Sequence, residues 1–199
     1  MVVGQTQLHG LLWSNSMEFI LDAIDSASRQ GQCFPAVVTA MTVPDIAGAV
    51  DSPGAESQAR YIKWIDDWFS PRFPTYVEHH IDGVAFYSLR CKLLHEGLSD
   101  PSQARAANKS TAASHKRLIA FNVGPGISMH LCTSSDAAGV SWTILRAETF
   151  CSDITSAARD WIAARKSDPA AMQMLKTMVD IRMDVPPLSH GVPLICAAI

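Results

Sequence analysis

Arg90 is the residue whose position most needs a chemical explanation, because it lies where its own helix calls for an apolar side chain. At about 100° per residue, the apolar side chains of residues 86–94 share one arc of a predicted helix, and Arg90 falls near its middle. A guanidinium keeps its charge, so at a packed surface it requires a carboxylate, backbone carbonyl groups or a phosphate. The sequence therefore predicts either an ion pair or a contact with a phosphate.

His95 follows Arg90 by five positions and lies on the opposite, polar side of the predicted amphipathic helix, together with Ser88 and Lys92. On an ideal helix the two side chains point about 140° apart, so they would not meet at one atom. They converge only if the helix loosens before Gly97, or if two copies of the helix meet across a two-fold axis.

The charge around this helix is locally positive, although the whole chain carries a net charge of −3. Residues 86–117 contain six basic and two acidic side chains, which is a local charge of +4. Such a neighbourhood can serve a phosphate-bearing ligand, and it is also the ordinary composition of a solvated loop. The weak overall charge indicates no general attraction to nucleic acid or to acidic membranes.

The HEPN superfamily has a helix with the same pattern, in which an arginine is followed after four to six residues by a histidine. Here that helix reads YSLRCKLLHEG at residues 87–97. Two earlier segments, AMTVPDIAG at residues 40–48 and RYIKW at residues 60–64, resemble blocks of an uncharacterised bacterial HEPN-like group. The resemblance covers roughly residues 16–97.

The resemblance implies an all-helical module that binds RNA or cleaves it without a metal ion or cofactor at the interface of a homodimer. Arg90 would steady the scissile phosphate, and His95 would act as acid or base on the attacking 2′-hydroxyl or the leaving oxygen. Tyr87, Ser88 and Lys92 would support substrate binding. An antitoxin-like protein is a further partner that the resemblance allows.

Cys91 departs from the catalytic pattern, because catalytic members usually carry a polar residue, often asparagine, directly after the arginine. The alternative is a non-catalytic nucleotide-binding or dimerisation module. In that hypothesis Arg90 forms a structural ion pair in the core, and Asp45 is its candidate partner because it too has apolar neighbours. His95 would then only cap the end of the helix near Gly97.

The composition indicates a globular cytoplasmic protein. It is 48% apolar and 18% charged, and its five cysteines are widely spaced, as expected for free thiols in a reducing compartment. The sequence predicts no membrane span and no signal peptide. Adjacent His79 and His80 diverge on a helix or strand, so we expect no metal site there.

We predict a mainly helical α+β fold in a single domain over residues 1–199. Residues 16–97 would form an antiparallel helical bundle, and residues 116–199 a β-meander with two helices packed on it. Three segments with β-strand composition, at 117–123, 127–133 and 140–146, predict a small antiparallel meander. The two C-terminal helices are predicted at 148–166 and 169–183.

Overall fold

The computed structural model describes residues 16–96, 117–124, 128–135, 141–177, 180–182 and 194–196. The fold over these residues is mainly helical with a small sheet, as predicted for the α+β class. The helices before residue 97 are α1 (Ser16–Arg29), α2 (Cys33–Ala40), α3 (Val43–Asp51), α4 (Ser57–Trp64), α5 (Pro74–Glu78) and α6 (Gly83–Cys91).

Local sequence explains where several of these helices begin. Pro44 lies in the first turn of α3, where its missing N–H costs nothing, so the chain breaks after α2 and restarts. Asp82 is the N-cap of α6, and its side chain accepts a hydrogen bond of 2.8 Å from the backbone N–H of Ala85. The helix that carries Arg90 therefore has a defined starting point.

Two helices continue as π-helices, in which backbone hydrogen bonds run from residue i to i+5. The first π segment, Ile65–Phe69, extends α4, and the second, Lys92–Glu96, extends α6. Single π turns are rare in proteins as a whole, but those that occur are frequently found at functional sites. The second one matters most here, because it begins two residues after Arg90.

The sheet is mixed, so the predicted antiparallel meander is corrected. The strands β1 (Arg117–Asn122), β2 (Cys132–Ser135) and β3 (Ser141–Arg146) lie in the order β1-β3-β2. β1 pairs with β3 in parallel and β2 pairs with β3 antiparallel. The period-two pattern that marks a strand does not specify its neighbour, and the apolar segment predicted at 127–133 becomes a strand only at Cys132.

Of the two C-terminal helices, the first packs on this sheet and on the earlier helices, and the second packs on α1 and α3. Helix α7 (Ala147–Arg165) follows β3 directly, and α8 (Pro169–Thr177) is shorter than predicted. The residues beyond it include β4 (Asp180–Arg182), which pairs antiparallel with β5 (Leu194–Cys196). Of residues 180–182 only Ile181 is β-branched, so the pairing with β5, and not local propensity, accounts for a strand here.

An aromatic cluster joins the helical half to the sheet half. Phe86 of α6 contacts Phe69 at 5.2 Å and stacks on Phe150 of α7 at 5.9 Å between ring centroids, and Phe150 contacts Phe121 of β1 at 5.4 Å. Contacts of this kind add about 0.5–1.5 kcal/mol each beyond area burial. Phe86 therefore packs α6 against both halves of the chain.

One stretch of the described residues, Cys33–Asp51, is long and apolar enough by composition to cross a membrane, with a mean hydropathy of 1.5. Here 56% of it is buried inside the protein, and it is interrupted between α2 and α3. Its two carboxylates, Asp45 and Asp51, pair with arginines of other helices. These are the features of core helices in a globular fold.

Gly48 sets the close approach of α3 to α4, and replacing it tests this packing. A Cβ at position 48 would lie 2.7 Å from the backbone oxygen of Arg60, which cannot move as a flexible side chain would. We expect Gly48→Ala to lower the free energy of unfolding by about 1–3 kcal/mol, measured by urea denaturation. In an open helix the same change stabilises by about 1 kcal/mol, so a gain would contradict the close packing.

Candidate functional site

Helix α6 is buried on both faces, which corrects the prediction of an amphipathic helix with one solvated side. Phe86 and Leu89 are fully buried, but so is Ser88, and Lys92 of the second π segment is only 4% exposed. The sequence pattern describes one apolar arc and does not show that further elements cover the opposite side. Ser88 and Lys92 thus lie inside the chain and not on a surface that a ligand could reach directly.

Arg90 forms an ion pair with Asp45, the partner put forward from the sequence. Its Nε donates to the Asp45 Oδ2 at 2.8 Å, and the two side chains are only 19% and 15% exposed. The hydroxyl of Ser57 donates to the other carboxylate oxygen at 3.3 Å. Asp45 therefore links α3 to both α4 and α6.

The ion pair keeps Arg90 charged despite its partial burial. Burial lowers the pKa of the guanidinium, but the charge of Asp45 and hydrogen bonds to Cys91 and Asp45 together raise it above the ordinary value. The Cys91 thiol lies 3.9 Å from Arg90 Nη1. The residue that departs from the catalytic HEPN pattern is thus itself in contact with the arginine.

Two tyrosines complete this polar cluster. Tyr61 of α4 is fully buried, its ring meets that of Tyr87 edge-on at 5.5 Å, and its hydroxyl lies 3.9 Å from the sulfur of Met41. Burial, followed by the charge of Asp45, raises the pKa of Tyr61 well above its ordinary value. Burial and the neighbouring Cys91 raise the pKa of Tyr87. Both phenols are therefore protonated at neutral pH and unsuited to act as bases.

The backbone of His95 lies within the second π segment, and its side chain lies outside the described part of the structure. A π-helix has more residues per turn than an α-helix, so it turns residues five positions apart nearer to a common face. The backbone of α6 thus loosens before residue 97, which is one of the two conditions for convergence that the sequence allows.

Ser57 and Tyr61 are members of the cluster that were not proposed as site residues from the sequence. Tyr61 lies within the RYIKW segment at residues 60–64, so the resemblance of that segment to a HEPN-like block was a usable signal. Ser57 had no such signal, since only the packing of α3 on α4 brings its hydroxyl to Asp45.

Within the described ranges there is no group of three or more His, Cys, Asp and Glu side chains that could hold a metal ion. The cluster's chemistry is therefore that of an arginine, a carboxylate, two phenols and a thiol.

Comparisons with protein-family models, curated proteins and solved structures found no match for this chain.

Removing the Arg90 side chain should destabilise the fold, because it leaves the Asp45 carboxylate partly buried without its cation. We expect Arg90→Ala to lower the free energy of unfolding by about 2–3 kcal/mol. Lys63→Ala is the control: Lys63 is 63% exposed and pairs with Asp67 at the surface, so its loss should leave the free energy of unfolding nearly unchanged. Equal effects in urea denaturation would show that the Arg90 pair contributes no more than a surface pair.

Ser88 gives a test of opposite sign, since its buried hydroxyl has no hydrogen-bond partner among the described residues. Ser88→Ala removes an unsatisfied polar group, so the free energy of unfolding should stay level or rise by up to about 1 kcal/mol. Ser57→Ala, which removes a donor to Asp45, should lower it. A marked loss in Ser88→Ala would reveal a bond made by that hydroxyl.

Proposed function

We propose that this protein is a HEPN-like module that binds or cleaves RNA as a homodimer, with Arg90 and His95 at the site. The second π segment is the observation that supports this proposal most directly. Without it, residues five apart on α6 diverge, and the arginine and histidine of one chain could not act on one phosphate. The π segment lies between Arg90 and the end of the motif, where the angle between the two side chains has to become smaller if both act from one chain.

In this proposal Asp45 is a positioning residue for Arg90. It holds the Nε edge of the guanidinium, and Ser57 in turn holds the carboxylate. A fixed guanidinium stabilises developing phosphate charge better than a mobile one, because no reorganisation is needed when the charge appears. Tyr87 stays as a candidate substrate contact. The burial of Ser88 and Lys92 counts against a contact between substrate and either of these two side chains.

The second candidate is a non-catalytic nucleotide-binding or dimerisation module in which Arg90 serves the core alone. The Asp45–Arg90 pair favours it, since a carboxylate already occupies one edge of the arginine. Contact of Cys91 with the same guanidinium favours it as well. In either case we place the protein in the cytoplasm, where the free thiols of Cys33, Cys91, Cys132 and Cys151 would stay reduced.

Cleavage of RNA by the purified protein in EDTA separates the two candidates. The first predicts metal-independent cleavage that falls about 100-fold or more in His95→Ala, the usual weight of one acid–base group. His80→Asn, at an exposed histidine after α5 whose left-handed backbone suits asparagine, should leave the rate unchanged. Absence of cleavage, or equal rates in wild type and His95→Ala, would refute the nuclease. If the protein then still binds RNA, and Arg90→Lys does not, a role in RNA binding remains.

Mixed dimers show whether a site draws on one chain or two. If Arg90 and His95 act from different protomers, mixing Arg90→Ala with His95→Ala protein rebuilds one intact site in half of the dimers, restoring about a quarter of the wild-type rate. If the π segment brings both residues of one chain together, the mixture stays inactive. Sedimentation that detects only monomers would refute the dimer.

A further inference from the structure

A second polar cluster surrounds His130, at the junction of α5, β2 and the end of β3. The His130 Nδ1 accepts a hydrogen bond of 3.1 Å from the backbone N–H of Arg146. Its ring meets the ring of Tyr76 edge-on, at 5.4 Å between centroids. The residues that lead into β2 are thereby tied to the sheet on one side and to α5 on the other.

The hydrogen bond requires a neutral imidazole. The backbone N–H of Arg146 can only donate, so Nδ1 must carry no proton, and in the neutral ring the proton lies on Nε2. A second proton would place an N–H opposite an N–H, and the bond would be lost. His130 is half-buried, so water replaces that bond incompletely unless the segment moves.

The charged groups on the elements packed around His130 give a protonated ring no added support. From the end of α5, His79 contributes a charge of the same sign, and burial followed by His79 lowers the pKa of His130. Tyr76 engages the Asp153 carboxylate of α7 at 2.8 Å. The Arg146 guanidinium engages Glu148 at 2.9 Å, so the hydrogen bonds of these two carboxylates go to Tyr76 and Arg146.

The backbone next to His130 is in a conformation that needs an anchor. Leu131 has a φ of 55°, a left-handed conformation that is uncommon for a residue with a side chain. Such residues persist where neighbouring contacts hold them. The contacts of His130 with Arg146 and Tyr76 are adjacent to Leu131 and can do so.

We propose that His130 is an acid-sensitive latch, whose protonation releases residues 128–131 from α5 and from the end of β3. In the closed state the imidazole is neutral and its Nδ1 holds the Arg146 amide. In acid His130 Nδ1 is protonated in the open state but not in the closed state, where it accepts the hydrogen bond. The open population therefore increases as the pH falls. The latch is independent of Arg90, and its test does not depend on any activity toward RNA.

Hydrogen exchange of the Arg146 amide, followed by NMR on the whole chain, tests the latch. Between pH 7.5 and 5.0 its protection factor should fall by up to about 30-fold, the factor by which a free histidine of pKa about 6.5 gains its proton. Where the open state becomes populated, the ¹⁵N signal of His130 Nδ1 should move toward that of a protonated ring. A protection factor that stays constant over this pH range would overturn the proposal, whether or not His130 titrates.

His130→Asn is the matched variant, because its Oδ1 lies near the position of Nδ1 and accepts the same hydrogen bond without titrating. Its Arg146 protection should not change with pH, whereas His80→Asn should behave as wild type. Loss of protection in acid that is equal in His130→Asn and wild type would exclude the latch. If His130→Asn does not fold, the two wild-type NMR measurements decide the question alone.

Discussion

The pairing of Arg90 with Asp45 is the interaction on which the polar side of α6 depends. A guanidinium that is mostly removed from water is tolerable only beside an opposite charge. Asp45 provides that charge from α3 and also accepts the hydroxyl of Ser57 from α4. One carboxylate thus fixes the relative positions of three helices, and the tyrosines pack around it.

The opposite side of α6 is held by aromatic packing and not by charge. Phe86 meets Tyr76 of α5 at 5.8 Å between ring centroids and stacks on Phe150, and the second contact joins the helix to the half of the chain that contains the sheet. An apolar contact surface is non-directional, whereas the ion pair is directional. The aromatic side supplies the burial, and the ion pair defines the rotation of α6 about its own axis.

Two polar clusters therefore lie on different sides of the aromatic core. The Arg90 cluster contains an obligatory cation with a fixed partner, so its charge does not depend on pH in the ordinary range. The His130 cluster contains a histidine, a residue type whose ordinary pKa lies near neutrality, and holds it in its neutral form. The Arg90 cluster therefore keeps the same charge at every ordinary pH, whereas the His130 cluster can change its protonation and its hydrogen bond with pH.

The sequence by itself determined the local features of this protein. Pro44 accounts for the break between α2 and α3, the Asp82 side chain accounts for the start of α6, and the odd position of Arg90 indicated a need for a partner. These follow from propensities and periodicities that act within a few residues.

Only the tertiary structure decided which residues meet across the chain. The parallel pairing of β1 with β3, the π turn after Arg90 and the burial of Ser88 depend on neighbours distant in sequence. A periodic pattern states which side of an element is apolar, but it cannot state how many layers cover that element. That is why Asp45 was recognisable as a partner for Arg90, while Ser57 and the anchoring of His130 to the Arg146 amide were not.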